Sequence, residues 1–404
     1  MKFKMFISAV AAVFFLLAGG CVAPELYIRN FQEGNPQIKV AAILPLSGSN
    51  RIFAEQMRKG LQLAEHDINS NSVSGKKQLQ FRIFDSKGSV TGAAAALDEA
   101  ARWGASGIIA GYSTDEVDPI LHRSAQLRMP VVIPLATATE HTMVSPFVYR
   151  NSYTDFQQSA VLANFLYHWR QAKHLGIFID ENSNTNYQGN ISRDVSQHMR
   201  DIGGSITRTM MIKAIPAQEE ITAMLKTDPE AILLTYGGKN AAETIKLLRN
   251  SGFTGIVCGA DNWDDAELIS ALDNFKVGDC LYTAFFSDEN RNAEYLNFKT
   301  AFRKRFYYTP GACEAQSYDA LKFMVIGLAG AETLPDFDRN WRTIKLYQGA
   351  AALYTMLPKG DIDRTVYINS IGLKRVGTKI KPYARLSHKM QHSKLKEYSQ
   401  EYYQ

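Results

Sequence analysis

Ser113 and Thr114 place two hydroxyls where an apolar strand, Gly107–Ala110, gives way to a helix expected from about Asp115 to Leu127. Hydroxyls and unpaired backbone N–H groups at a helix start make an anion site, and the helix dipole strengthens it. Ser and Thr are also ordinary helix N-caps, so both readings stand. Asp261 follows a second apolar strand, Thr254–Cys258. A carboxylate withdrawn from water needs a positive partner, because desolvating it alone costs several kcal/mol. Asp261 could therefore meet a ligand ammonium, stay solvated, or cap a helix starting near Asp264. An anion site and a carboxylate together would suit an amino-acid zwitterion.

No pattern for catalysis accompanies them. The chain has no Gly-x-x-x-x-Gly-Lys phosphate loop, no Gly-x-Gly-x-x-Gly, no His-Glu-x-x-His and no Gly-x-Ser-x-Gly. Eight histidines are scattered, with no metal-binding spacing. The reading is of a protein with no catalytic residues, no cofactor and no metal. Cys258 and Cys280 each sit at an edge of a predicted strand. They could pair in an oxidising compartment, or remain two buried thiols. No Cys-x-x-Cys exists to signal zinc or redox chemistry.

The chain opens with Lys2 and Lys4, an apolar run from Met5 to Ala18, and then Gly19-Gly20-Cys21. A basic start, an apolar centre and small residues at the cut describe a secretory signal peptide over residues 1–21. The apolar run is too short for a permanent span, which needs roughly 20 residues. Cys21 after small residues resembles the lipobox of bacterial lipoproteins, although Ala18 stands where Leu is usual. That resemblance implies that Cys21 is acylated and anchors the chain to a membrane through a tether over 22–37. Val22 in place of Asp points to the outer membrane. Composition is that of a folded globular protein, 46% hydrophobic and 21% charged. A net charge of +5 is too mild and dispersed to argue for nucleic acid.

These residues must be positioned by alternating strands and helices. Lys39–Leu44 reads as a strand buried on both faces, as in a parallel sheet. A helix from about Ala54 to Asn69 carries Met57, Leu61 and Ala64 on one face. Strand Leu79–Phe84, helix Thr91–Trp103, strand Gly107–Ala110 and strand Val131–Pro134 continue the series. The pattern restarts with helix Phe156–Trp169, strand Leu175–Ile179, helix Tyr187–Ile202 and strand Ser205–Met211. Helix Gln218–Lys226, strand Ala231–Thr235, helix Asn240–Ser251 and strand Thr254–Cys258 follow. Two runs of βα units predict two α/β lobes with parallel sheets. Later elements rejoin them: Leu281–Phe285, helices Asn292–Phe306 and Glu314–Glu332, and strands Leu353–Met356 and Val366–Ser370. Residues 381–404 read as a polar tail.

Residues 38–375 resemble the type I periplasmic binding proteins, above all the branched-chain amino-acid receptors of ABC transporters. Leu44-Pro45-Leu46-Ser47-Gly48, Arg58–Ala64 with Asp67-Ile68-Asn69, and Gly111-Tyr112-Ser113-Thr114 carry the likeness. Pro130–Pro134, Tyr149-Arg150-Asn151, Tyr318-Asp319-Ala320 and Gly349 to Asp361 complete it. No single motif is specific; their order and spacing are. The resemblance implies two Rossmann-like lobes joined by three crossovers, with the ligand between them. Lobe one would hold 38–153 and 286–340, lobe two 154–285 and 341–380.

Carried over residue by residue, Ser113 and Thr114 would bind an amino-acid carboxylate and Asp261 its ammonium. Leu135, Ala136 and Thr137 would offer a carbonyl and a hydroxyl. Phe53 and Tyr187 match aromatics of the two lobes that pack over the ligand. Tyr236 and Lys239, after strand Ala231–Thr235, line the same edge, and Trp263 could add a wall. Lys239 departs from the family, which favours an aromatic there. The expected function is extracytoplasmic capture of an amino acid or similar small ligand, with delivery to an ABC permease. Closure would run through crossovers near Tyr153, Phe286 and Asn340. The segments Ala42–Gly48 and Phe84–Gly88 also look like penicillin-binding-protein activator lipoproteins, which share the fold but contact cell-wall synthases. A ligand sensor is a further alternative.

Overall fold

The computed structural model describes residues 37–70, 78–181 and 185–395. The signal segment, Cys21 and the tether through residue 36 lie outside the described residues. In chain order the elements begin β1 Gln37–Leu44, α1 Arg51–Ser70, β2 Gln78–Asp85, α2 Val90–Trp103, β3 Gly107–Ile109 and α3 Thr114–Leu127. Next come β4 Val131–Ile133, β5 Val148–Arg150, α4 Asp155–Asn164, β6 His174–Asp180, α5 Thr185–Asp201 and β7 Ser205–Ile212. Then follow α6 Gln218–Leu225, β8 Ala231–Leu234, α7 Gly238–Asn250, β9 Ile256–Gly259, α8 Ala266–Ala271 and β10 Cys280–Ala284. The chain closes with α9 Ala293–Phe306, α10 Ala312–Leu328, α11 Leu334–Trp341, β11 Tyr347–Gln348, β12 Leu353–Met356, β13 Ile362–Val376 and β14 Lys379–Gln391.

Two sheets result, one per lobe. The first runs β2-β1-β3-β4-β5, all parallel. The second repeats that order as β7-β6-β8-β9-β10, also parallel, and is extended by antiparallel β13, β12 and β11. In each lobe the strand order reverses beside the first strand. Such a reversal opens a crevice at the carboxyl ends of the strands, where ligands bind. Two α/β lobes with mostly parallel sheets are therefore the architecture, as the strand and helix periodicity indicated.

Burial explains why β1 is a central strand. Val40 through Leu44 are all fully buried. Alternate residues face opposite layers: Ala41 and Ile43 join a cluster with Ala96, Leu97, Val117 and Ile120 of α2 and α3. Val40, Ala42 and Leu44 join a second cluster that continues into the other lobe. Helices α1 and α10 cover that second face. A Cβ on Gly60 would sit 2.1 Å from the Glu314 carbonyl oxygen, so only glycine permits the approach of the two helices.

Two expectations need correcting, and a third point, which the sequence left open, is decided. Residues 381–391 are not part of a tail, because Lys379–Gln391 is a full strand paired with β13 from Val376↔Lys379 to Thr365↔Gln391, with one shift of register between Ile368 and Asn369. Its largely polar sequence and mostly exposed side chains are those of a sheet edge. Helix α4 does not continue as an α-helix to Trp169; it ends at Asn164 and a π-helical turn follows over Phe165–Trp169, closed by Arg170 N–H donating to Phe165 O at 3.0 Å. The third concerns Cys258 and Cys280, which are free thiols. They lie on neighbouring strands, but Cys258 is opposite Leu281 and Cys280 opposite Val257. This offset of one residue sends the two side chains to opposite faces of the sheet. Each thiol instead contacts a backbone carbonyl, Cys258 that of Ile232 and Cys280 that of Val277.

Candidate functional site

The first-lobe wall is built at the ends of β3 and β4. Ser113 is the N-cap of α3 in extended conformation (φ −107°, ψ 160°), and its hydroxyl makes no capping bond. Glu116, 5% exposed, does not take over that role: its Oε2 accepts from the N–H of Tyr112, the residue before the cap, at 3.3 Å and its Oε1 from Asn50 Nδ2 at 2.9 Å. After β4, Leu135, Ala136 and Thr137 line the same space. The Thr137 carbonyl accepts Asp155 N–H at 2.8 Å, tying this loop to the start of α4.

The second-lobe wall follows β9. Asp261–Trp263 forms one turn of 3-10 helix directly after the strand. Asp261 Oδ1 accepts hydrogen bonds from the Tyr187 hydroxyl and from Gln158 Nε2, the latter at 3.3 Å. Gln158 Nε2 also donates to Asp155 Oδ1 at 3.2 Å, while its Oε1 accepts from Thr283 Oγ1 at 2.8 Å. Two carboxylates thus share one amide in a place almost closed to water. Burial raises the Asp155 carboxyl to about 7, despite hydrogen bonds from Thr137, Asn190 and Gln158, and the charge of Asp261 adds to the rise. Burial likewise raises Asp261, against the hydrogen bonds of Tyr187 and Gln158. Asp264 also lines the cavity, and the surrounding protein, with the charges of Asp261, Asp265 and Glu314, lifts its carboxyl to about 7.

Between these walls lies a cavity of about 250 Å³. Phe53, Ser113, Thr114, Leu135, Ala136, Thr137, Tyr187 and Asp261 all line it, so eight of the eleven predicted positions meet at one place. The other three do not. Trp263 is fully buried, and its indole N–H donates to Tyr236 O at 2.8 Å. Its ring fills the space beside Gly259, where a Cβ would come within 2.3 Å. Tyr236 is 4% exposed and its hydroxyl pairs with Thr244 Oγ1 at 3.0 Å. Lys239 points to solvent and forms an ion pair with Glu267 at 3.2 Å. All three follow strand ends, but their side chains turn into the core or outward.

Sequence reasoning missed Tyr112, Asn186, Asn262 and Asp264, each within three residues of a predicted position. It also missed Phe285 and the start of α10 at Ala312 and Cys313. Tyr112 stacks on Phe53 at 4.3 Å between centroids with planes 3° apart. Phe285 stacks on Tyr153 at 4.2 Å. Arg364 lies 5.4 Å from each of those two rings and donates to the carbonyls of Asn151 (3.0 Å), Phe285 (2.6 Å) and Thr365 (3.1 Å). Adjacency to a strand end was the available signal for the first group. Phe285 shares that signal, since it directly follows β10, whereas Ala312 and Cys313 had none.

A family model described as periplasmic binding protein matches residues 37–368. Among solved structures, a leucine-binding protein from Thermotoga maritima is 22% identical, with a TM-score of 0.71, over 87% of this chain and 98% of that one. A branched-chain amino-acid transporter substrate-binding protein from Streptococcus pneumoniae, in complex with isoleucine, is 18% identical (TM-score 0.70; 86% and 100% covered). A solute-binding protein of an ABC transporter from Rhodopseudomonas palustris, in complex with 3,4-dihydroxybenzoic acid, is 17% identical (TM-score 0.67; 88% and 98% covered). At these identities the likeness is one of fold. No curated protein matches the sequence.

Proposed function

Since the chain belongs to the periplasmic binding protein family, we propose that it is an extracytoplasmic solute-binding protein that captures a small ligand bearing a protonated nitrogen, amino acids included. One observation carries this reading. Asp261 presents a carboxylate to the interlobe cavity with Tyr187 and Gln158 as its hydrogen-bond donors, and among the described residues no Lys, Arg or His lines that cavity. The missing cation is supplied by the ligand. Leucine and isoleucine named for two of the similar structures are consistent with such a group.

Binding works by hinge closure of one lobe on the other. The chain passes between sheets three times, between Arg150 and Asp155, between Ala284 and Ala293, and between Trp341 and Tyr347. The closed form then docks on an ABC permease, to which the ligand is delivered. Acylated Cys21 keeps the protein at the membrane surface. Neither step calls for a catalytic group.

The test is a thermal-shift screen of the purified mature chain against amino acids and simple amines. Ligand at a hundred times its dissociation constant adds about 2.7 kcal/mol of stability. Asp261→Ala removes the shift. Stabilisation by no nitrogen-containing solute, or an unchanged shift in Asp261→Ala, overturns the reading.

A further inference from the structure

We infer that the tip of the β13–β14 hairpin is a docking surface for an anionic phospholipid bilayer, which it enters with apolar side chains while its lysines and arginine meet the phosphates. The inference is independent of what the cavity binds. The hairpin turns through Gly377-Thr378, with Gly377 at φ 63°, and Leu373 through Lys381 are nine consecutive exposed residues. Backbone bonds between Ile380 and Asn274, at 2.9 and 3.2 Å, hold the ribbon against the turn after α8. They leave the side chains of the tip in solvent.

Those nine residues include Lys374, Arg375, Lys379 and Lys381 and no acid. From Val366 to Leu395 there is no Asp or Glu, whereas 40 acidic residues in 404 would put about three in these thirty. Register sets Lys374 directly opposite Lys381, with Lys379 on the same face two residues before it. Like charges facing each other across two strands destabilise the pair. Relief from within the chain is slight: Lys381 lies 4.0 Å from Asp273, and Lys374 sits 5.1 Å from the Tyr383 ring centroid. Lysines on a sheet edge also discourage pairing with a second chain. That role does not call for exposed apolar neighbours and would be weakened by them.

The tip has such neighbours. Leu373, Val376 and Ile380 are between 39% and 49% exposed. Strand pairing puts Leu373, Arg375 and Ile380 on one face of the ribbon, and Val376 with the three lysines on the other. Both faces therefore carry apolar and cationic groups. A protein partner would cover one face and leave the other in water. A bilayer interface surrounds the tip, offering acyl chains to the apolar residues and phosphates to the cations on either side. Each lysine or arginine near an anionic surface strengthens binding about fivefold.

Vesicle sedimentation tests this, with the mature chain from Val22 onward, which lacks Cys21 and so carries no lipid of its own. Vesicles containing phosphatidylglycerol bind it, vesicles of phosphatidylcholine alone do not, and added salt weakens the binding. Lys374→Gln and Lys379→Gln each lower the partition coefficient about fivefold. Val376→Ser, which leaves every charge in place, lowers it too. All three positions are exposed, so the unfolding midpoints of these variants stay at the unsubstituted value. Equal retention by both kinds of vesicle, retention by neither, or retention unchanged in any one of the three variants overturns the inference. None of those outcomes bears on ligand capture by the cavity.

Discussion

Asp155 and Asp261 are joined through a single amide: Gln158 Nε2 lies 3.2 Å from one carboxylate and 3.3 Å from the other. Asp155 is 1% exposed and belongs to α4, whereas Asp261 belongs to the turn after β9 and reaches the cavity. Whatever neutralises Asp261 is therefore felt by a second buried acid behind it.

This arrangement sets the pH dependence. The Asp155 pKa is raised by burial to about 7 in the folded chain, against 3.8 for the free side chain. A raised acid favours its neutral form, so its contribution to stability is complete below the unfolded pKa. It is lost as pH rises through the folded value. Unliganded protein is expected to lose stability between about pH 4 and pH 7, by up to about 4 kcal/mol from this group. Denaturant midpoints measured across that range check it, and Asp155→Asn flattens the slope.

Trp263 and Lys239 follow neighbouring strand ends but differ in what they hold up. Trp263 fills the space over Gly259, so Trp263→Ala is expected to cost about 3–5 kcal/mol by leaving a cavity. Lys239 makes only an exposed ion pair, and Lys239→Ala changes stability by less than about 0.5 kcal/mol with ligand affinity unaltered. Urea unfolding and titration of both variants separate the two roles.

Arg364 ties two crossovers together through Asn151 O and Phe285 O while its guanidinium lies against Tyr153 and Phe285. Lysine cannot span two carbonyls with a planar fork. Arg364→Lys is expected to cost about 3 kcal/mol, the low end of the range for breaking a buried charged network, because the charge is kept. It also loosens the hinge. Calorimetry reads the first effect, and small-angle scattering with and without ligand reads the second.

Cys258 and Cys280 are buried, and burial pushes the Cys280 thiol up to about 12 and raises Cys258 as well. The thiolate is the reactive form. Both are expected to resist iodoacetamide in the native protein and to react on unfolding without added reductant. Mass spectrometry of the labelled peptides tests this; a requirement for reductant would mean that they had paired.

Much of the fold was legible in residue order. Apolar runs such as Val40–Leu44 report burial on both faces, and the helical spacing of Met57, Leu61 and Ala64 reports one covered face. These are local periodicities that any folded context must respect. Strand β14 was not legible, because an edge with solvent around it carries little apolar alternation; only pairing with β13 makes it a strand.

The site divides along the same line. Strand ends could be located from the chain, and so Ser113, Thr137 and Asp261 could be named as cavity residues before any geometry. Which way a side chain turns after a strand end is a packing outcome. Trp263 went inward because Gly259 left room for its ring, and Lys239 went outward to Glu267. The contributions of Phe285 and Cys313 arise from segments more than a hundred residues from Ser113, and no local pattern encodes their meeting. Residue types and spacing settled that there are two βα sheets and where each chain segment leaves them. Tertiary packing alone decided which of the departing side chains face one another, because that depends on volumes and charges supplied by the other lobe.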